Sequence, residues 1–403
     1  MTTPILPESD DYTAIIQKYM HINEVTWGDG SQKFYVRFRG ELRRDSIEAY
    51  DALSDALRKH SITPLFREEE GQETILLMKG VIEPQPSNHW INVGLFLATL
   101  VSMLLVGAYN AYDGPQTISE SELYRRLFAN LGSGFPYAGS LLAILLAHEF
   151  GHYLASRYHK TAVTLPYFLP LPLLGGFGTL GAAIRLKEPP KNKRVLLDIG
   201  IAGPLAGLVV AIPVVLFGLY QSDIGNLPSP AMLEGNSILY LAAKYIALGE
   251  WLPMPVSYGD IHPFIYWIGY LLTGLPEPIG GRDVLLSPIA WAGWAGLLVT
   301  AINLIPTGQL DGGHTLFSLI GGKVSKMRPY VLAFLVVMGL LYTGWWIWAI
   351  LIYFMGRYHA EPYDQITTLD PKRKMLAIFT LIIFILVFTP VPLRVIGGLG
   401  SGF

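Results

Sequence analysis

Long apolar runs separated by short polar stretches dominate the chain from His89 to its carboxyl end. Each of the longest runs approaches the roughly 20 residues that an α-helix needs to cross the hydrocarbon core of a bilayer. The pattern therefore predicts a polytopic α-helical membrane protein with about 6–8 spans. Two shorter apolar segments within 221–285 are open as half-helices, interfacial helices or spans. The clearest predicted spans cover residues 89–112, 137–158, 195–220, 286–305, 330–354 and 375–392.

One apolar segment is unlike a continuous helix. Leu165–Leu186 (LPYFLPLPLLGGFGTLGAAIRL) is crowded with proline and glycine, which interrupt helical hydrogen bonding. Irregular backbone at membrane depth is tolerated only where protein or a wet cavity satisfies its polar groups. We therefore expect a re-entrant hairpin that leans on a functional site.

Residues 1–87 show the pattern of a small soluble α+β domain. Lys33–Leu42 alternates apolar and polar residues as a strand does, and Asp45–Ile62 carries apolar residues at helical spacing. Thr63–Gly80 is typical of two strands joined by an acidic, glycine-containing turn. We expect a β-α-β-β domain there and a membrane domain over 88–403. Regulation, substrate gating and simple anchoring are open roles for the first domain.

Composition supports the membrane assignment and excludes some chemistry. Hydrophobic residues make up 51% of the chain and charged residues 15%, whereas soluble domains usually carry about 25% charged residues. The net charge of -2 gives no indication of a nucleic-acid partner. The absence of cysteine excludes disulfides, thiolate metal ligands and cysteine nucleophiles.

Basic residues near the span ends predict the orientation. Arg157 and Lys160 close the second span, Lys187–Arg194 precedes the third, and Lys323–Arg328 lies farther along. We expect these at the cytoplasmic face with the amino-terminal domain, which shows no signal-peptide pattern. Arg357–Lys374 is then expected on the opposite face, although it carries four basic residues. A bacterial inner membrane is the default location, and a thylakoid-type membrane is the alternative.

The motif AHEFGH places ionisable groups at the end of the second apolar run. On a helix, His148 and His152 lie one turn apart, so both can bind one metal ion while Glu149 acts on a nearby water. An ionisable group within a span costs roughly 3 kcal/mol and indicates a functional site. The alternative is a polar cluster that hydrogen-bonds neighbouring helices.

A catalytic zinc site usually has three protein ligands and one open position. Candidates for the third ligand lie in NLIPTGQLDGGH, which follows another apolar run. Asp311 is the strongest of them, and His314, one turn later, is weaker. The alternative for Asp311 is that it only caps the helix that follows.

AHEFGH together with NLIPTGQLDGG resembles the paired motifs of the site-2 protease family of intramembrane zinc metalloproteases. IAGPLAG (Ile201–Gly207) is similar to the Gly-Pro motif of the family's middle span. The stretch from GGFGTLGAAIRLKEPP to DIGIAGPLAG most resembles the branch without a PDZ domain. That branch includes chloroplast proteins of the ethylene-dependent gravitropism-deficient and yellow-green type and bacterial relatives. The resemblance runs from Trp90 to the carboxyl end and extends loosely to the amino-terminal domain.

This resemblance implies Zn²⁺ bound by His148, His152 and Asp311. It further implies that Glu149 is the general base and that Asn303 orients or polarises the scissile carbonyl. The expected function is hydrolysis of peptide bonds in or near transmembrane helices of other membrane proteins, within the lipid bilayer. A zinc-binding membrane transporter and a non-catalytic membrane chaperone are the alternatives.

The glycine-rich part of the predicted hairpin is a candidate substrate-binding element. A transmembrane helix must unwind before its peptide bonds become accessible, and an edge strand over Leu174–Ile184 can pair with the extended substrate. A packed loop that merely closes the bundle is the alternative. The residues expected to contact the substrate are Gly176, Phe177, Gly178 and Thr179.

Overall fold

The structure, a computed structural model, describes residues 9–28, 34–114, 119–172, 176–227, 231–355 and 361–396. The helices are α1 (Ser9–Gln17), α2 (Ser46–Arg58), α3 (His89–Asn110), α4 (Glu120–Ala129), α5 (Phe135–Tyr158), α6 (Lys193–Tyr220), α7 (Ile238–Leu248), α8 (Pro263–Thr273), α9 (Pro288–Asn303), α10 (Asp311–Ile320), α11 (Val324–Leu341), α12 (Gly344–Met355) and α13 (Pro371–Val387). The strands are β1 (Met20–Trp27), β2 (Val36–Leu42), β3 (Ile62–Glu69), β4 (Gln72–Lys79), β5 (Tyr167–Pro170), β6 (Thr179–Ala183), β7 (Asp223–Asn226), β8 (Ala231–Glu234), β9 (Arg282–Leu285) and β10 (Leu393–Ile396).

The amino-terminal unit is an antiparallel sheet in the order β1-β2-β4-β3, against which α1 and α2 pack. Its core is apolar and fully buried, with Phe38, Leu53 and Phe66 at its centre. The sequence interpretation placed a strand, a helix and two strands here, and the structure adds α1 and β1 before them. β1 is an edge strand with mostly exposed side chains, so its sequence lacks the alternation that marks a half-buried strand.

The rest of the chain is mostly helical. By length and composition, four helical stretches are long and apolar enough to cross a membrane. α6 packs between α5 and α9 and forms the centre of the bundle. The four stretches are His89–Asn110, Leu131–Tyr158, Lys193–Tyr220 and Asp311–Leu341.

The segment rich in proline and glycine between α5 and α6 forms a short antiparallel hairpin. β5 pairs with β6, Tyr167 lying opposite Ala183, and β5 packs on α3. Asn92 of α3 donates a hydrogen bond to the carbonyl of Leu165 (2.9 Å), so the polar backbone before β5 is satisfied by a buried side chain.

One predicted span is wrong: residues 330–354 do not form a single helix. The chain turns after Leu341, and α11 and α12 pack side by side. Arg328, near the start of α11, donates to the carbonyl of Tyr353, near the end of α12 (2.6 Å), so the two helices are antiparallel. Hydropathy does not reveal the break because it spans only Tyr342–Gly344, between two strongly apolar segments.

The described residues within 221–285 form short elements rather than spans of full length. β7 pairs with β9, and β8 pairs with β10 after the last helix, which ties the carboxyl end to this region. Buried Lys244 of α7 lies 2.8 Å from Glu234 and 3.2 Å from Asp283. Burial raises the pKa of Asp283 to about 6, and the ammonium of Lys244 opposes that rise. These ion pairs fasten α7 to β8 and β9.

The segment of residues 361–370, before α13, lies against the amino-terminal unit. The N–H of Phe66 in β3 donates to the carbonyl of Tyr363 (2.9 Å), and the N–H of Gln365 donates to the carbonyl of Phe66 (3.0 Å). On its other side, the N–H of Asp364 donates to the carbonyl of Lys191 (2.9 Å), just before α6. The segment thus joins the amino-terminal unit to the helical bundle.

The prediction that Arg357–Lys374 lies on the opposite face is therefore wrong for its described part, which begins at residue 361. The cause is the unpredicted turn between α11 and α12. That turn adds a pass through the bundle and returns the chain to the end of the bundle that carries the amino-terminal unit. The basic residues of this loop then agree with those before α6.

Candidate metal centre

The helix α5 brings two imidazoles together in the interior of the bundle. His148 and His152 are both buried, and their Nε2 atoms lie 3.2 Å apart. The spacing of four residues places both rings on one face of the helix. Their Nε2 atoms therefore converge on one point.

Asp311, in the first turn of α10, completes the group. Its Oδ2 lies 3.3 Å from the Nε2 of His148 and 3.3 Å from that of His152. The N-cap residue of α10 is Leu310, so capping does not account for Asp311. A Cβ on Gly312 would lie 1.9 Å from the carbonyl oxygen of Leu304, so glycine is required for α10 to approach the end of α9.

The geometry of the group fits a tetrahedral metal ion. Ligand atoms about 2.0–2.1 Å from one tetrahedral zinc lie roughly 3.3 Å from one another, which matches all the separations above. Two imidazole nitrogens and a carboxylate oxygen are also a ligand set of catalytic zinc, which keeps a fourth position open. Among the described residues, His148, His152 and Asp311 are the one group of this kind.

Helix α6 fixes the orientation of His152. The Nδ1 of His152 lies 2.7 Å from the carbonyl oxygen of Ile199, so Nδ1 carries the proton and Nε2 offers its lone pair to a metal. A Cβ on Gly203 would lie 2.0 Å from that Nε2, so only glycine leaves room for the ring. Sequence reasoning missed both roles. The motif IAGPLAG could have indicated the role of Gly203. The contact with the Ile199 carbonyl could not be predicted, because every residue has a backbone carbonyl.

Glu149 is buried beside the group without belonging to it. Its Oε2 has no hydrogen-bond partner among the described residues. Burying a carboxylate oxygen without a partner is unfavourable, so such an atom indicates a role with a ligand or water. The backbone of Ile184, just after β6, lies close to the same carboxylate.

Asn303, the last residue of α9, lies at the same centre. Its Nδ2 is 3.3 Å from the Nε2 of His148. His314 lines the adjoining cavity one turn after Asp311, but it is outside the group of converging ligand atoms.

A cavity of about 220 Å³ adjoins these side chains. One wall is the end of β6 and the residues that follow it, including Ala182, Ala183 and Ile184. Helix α6 supplies Ile199 and Gly200 on another side. The converging ligand atoms therefore border a space large enough for water.

The predicted substrate residues lie nearer the tip of the hairpin and precede the residues that line the cavity. Phe177 stacks on Trp291 (5.9 Å between ring centres), and its carbonyl accepts a hydrogen bond from Tyr137. The carbonyl of Gly178 accepts one from Ser102 (2.6 Å). Gly176 precedes them, and Thr179 opens β6 and is buried; Leu174 and Gly175 lie outside the described residues. The structure thus anchors this part of the hairpin and brings later residues to the cavity.

The sequence profile of Peptidase family M50 matches residues 136–343, just over half of the chain and inclusive of all the residues of the centre. The chain belongs to this family, which confirms the resemblance to site-2 proteases.

Named relatives support the same class. The chain is 28% identical over 339 residues, 78% of its length and 56% of the relative's, to "Probable zinc metalloprotease EGY1, chloroplastic" of Arabidopsis thaliana. It is 26% identical over 373 residues, 89% of its length and 62% of the relative's, to "Probable zinc metalloprotease EGY2, chloroplastic" of Oryza sativa subsp. indica. The chain thus spans about three fifths of these relatives. No solved structure matches it.

Proposed function

We propose that this protein is an intramembrane zinc metalloprotease that hydrolyses peptide bonds in or near transmembrane segments of membrane proteins. The observation that carries the proposal is the convergence of His148, His152 and Asp311, at separations of 3.2–3.3 Å, beside the unpartnered carboxylate of Glu149. Membership of a peptidase family and the names of the relatives agree with it.

The residues of the centre divide the chemistry among them. Bound Zn²⁺ supplies Lewis acidity, which lowers the pKa of water towards about 7 and polarises a carbonyl oxygen. Glu149 accepts the proton of the attacking water and returns it to the leaving amide nitrogen. Asn303 donates a hydrogen bond to the carbonyl oxygen and stabilises the negative charge that develops there.

We further propose a membrane arrangement. Helices α3, α5, α6, α9, α11, α12 and α13 cross the bilayer, and the β5–β6 hairpin is re-entrant. The arrangement has seven spans, within the range of 6–8 expected from the sequence. In it, the amino-terminal domain, residues 1–87, lies at the same face as the basic loops before α6 and α13. That face is the cytoplasmic one in a bacterial inner membrane, or its equivalent in a thylakoid-type membrane. Residues 88–403 form the protease domain.

The test is cleavage of a membrane protein with a single transmembrane helix by the purified protein in liposomes. We expect cleavage that stops when a chelator removes the metal and returns when zinc is added. The same liposomes report zinc uptake, which a transporter would show and a protease would not. Uptake without cleavage would contradict the proposal.

We propose that β6 holds the substrate in extended form. Among the described residues, no strand pairs with the edge of β6 opposite β5. Unpaired backbone groups at membrane depth are unfavourable unless water or another chain satisfies them. The carbonyl of Arg185 accepts a hydrogen bond from the N–H of Thr164, on the side of β5. Successive residues of a strand point their N–H and C=O groups to opposite sides. The N–H groups of Ile184 and Ala182 therefore face away from β5, towards Glu149 and the cavity.

Ala182→Pro removes one of these outward N–H groups. Loss of one backbone hydrogen bond to the substrate, worth about 1 kcal/mol, corresponds to a decrease in kcat/KM of roughly fivefold to tenfold. Ala182→Val is the matched control, because it adds similar bulk and keeps the N–H. Equal cleavage by the two variants in the liposome assay would show that β6 does not pair with the substrate.

A further inference from the structure

A polar groove of about 560 Å³ lies between the amino-terminal unit and the helical bundle. Helix α2 forms one wall with Asp51, Ser54 and Arg58. Lys160, just after α5, and Glu188, between β6 and α6, lie on the other side. The groove is distinct from the catalytic cavity, since the two share no lining residue.

The strand that lines the catalytic cavity continues into this groove. After β6, the carbonyl of Arg185 accepts from the N–H of Thr164 (3.0 Å), and the N–H of Lys187 donates to the carbonyl of Ala162 (2.8 Å). Leu186 lines the catalytic cavity, and Glu188, two residues later, lines the groove. Two extended residues span about 7 Å, so the cavity and the groove are neighbours along one extended segment.

Several contacts hold the walls of the groove in place. Lys191 on the bundle side lies 3.0 Å from Asp51 of α2. Tyr363, in the segment that joins the two units, lines the groove and stacks on Tyr50 of α2 (6.0 Å between ring centres). Arg67 of β3 donates to the carbonyl of Tyr363 (2.9 Å). These contacts hold the amino-terminal unit beside the segment that runs on from the catalytic cavity.

We propose that this groove binds the extended juxtamembrane segment of the substrate, on the side of the amino-terminal unit. This inference rests on the proposed protease function. A substrate that lies along β6 continues along residues 184–191 and enters the groove within about ten residues of the scissile bond, at roughly 3.3 Å per residue. Carboxylates and cations on both walls suit a polar segment, as juxtamembrane segments are.

The proposal restricts the class of substrate. A groove of this volume admits one extended chain, whereas a folded domain of 100 residues has a radius of gyration of about 13 Å. Substrates must therefore be unfolded over about ten residues on this side of the membrane. A folded domain joined directly to the transmembrane helix is excluded, and an extended spacer restores access.

Disulfide mapping tests the groove directly, because the chain has no cysteine of its own. Ser54→Cys places a thiol in the groove, and Ala56→Cys places one on another face of α2. Both are combined with Glu149→Gln, which keeps the substrate uncleaved. We expect Ser54→Cys to form a disulfide with substrate cysteines about 6–12 residues beyond the scissile bond. The Ala56→Cys variant is expected to form none.

Spacer length gives the second readout, in the protein with Glu149 intact. A substrate with a folded domain placed three residues after its transmembrane helix is expected to be cleaved at least tenfold more slowly than one with a spacer of twenty residues. If the wild-type protein cleaves its substrate, but Ser54→Cys forms no disulfide and spacer length has no effect, the proposed role of the groove is wrong and the protease function stands. Absence of cleavage by the wild-type protein would overturn both.

Discussion

Glu149→Gln is expected to lower kcat at least about a hundredfold while zinc stays bound, since general acid–base catalysis contributes about 10²–10⁴-fold. The amide has nearly the size of the carboxylate but accepts no proton at neutral pH. Glu149 is outside the group of converging ligand atoms, so the metal site does not depend on it. Cleavage of a transmembrane substrate and zinc content, measured on the same preparation, test the two parts together.

Glu122→Gln is the matched control for that substitution. Glu122 lies on α4 and pairs with Arg125 (2.9 Å) and Arg126 (2.8 Å), away from the centre. The Glu122→Gln variant should cleave the substrate and bind zinc as the wild-type protein does. Full activity of Glu149→Gln would remove the general base from the proposed mechanism.

Asp311→Ala is expected to lower zinc affinity by more than about a hundredfold and to abolish cleavage. Changing residues that merely support metal ligands typically costs 10–100-fold in affinity, and a direct ligand should exceed that. The substitution also removes the negative charge that lies 3.3 Å from each imidazole. Zinc titration against a competing chelator measures the affinity.

Asp260→Ala serves as the control for Asp311→Ala, since Asp260 is exposed in the turn before α8. It should bind zinc as the wild-type protein does. Tight zinc binding by Asp311→Ala would mean that the third ligand comes from another residue, and His314, which lines the same cavity, would be the next candidate.

Much of the centre could be predicted from sequence because its signals are local. The four-residue spacing of His148 and His152 puts them on one face of any helix. The position of Asp311 at the end of another apolar run made it the best third ligand. The helices α3 and α6 were equally predictable, since each is a long, mostly apolar run that begins and ends beside polar residues.

The features that sequence reasoning missed depend on tertiary contacts. The turn between α11 and α12 interrupts a long apolar stretch only at Tyr342–Gly344, and packing fixes it there: a Cβ on Gly339 would lie 2.8 Å from the ring of Trp346. The docking of Tyr363 beside β3 uses backbone hydrogen bonds, which any residue can make. The orientation of His152 by the Ile199 carbonyl is of the same kind.

X-ray absorption at the zinc edge of the purified protein reports directly on the ligands of the metal. We expect one zinc per chain in a tetrahedral shell of nitrogen and oxygen, with two imidazole ligands at about 2.0–2.1 Å. Replacing His152 by alanine should remove one imidazole from that shell. A shell of oxygen ligands alone, or a spectrum unchanged by that substitution, would contradict the account.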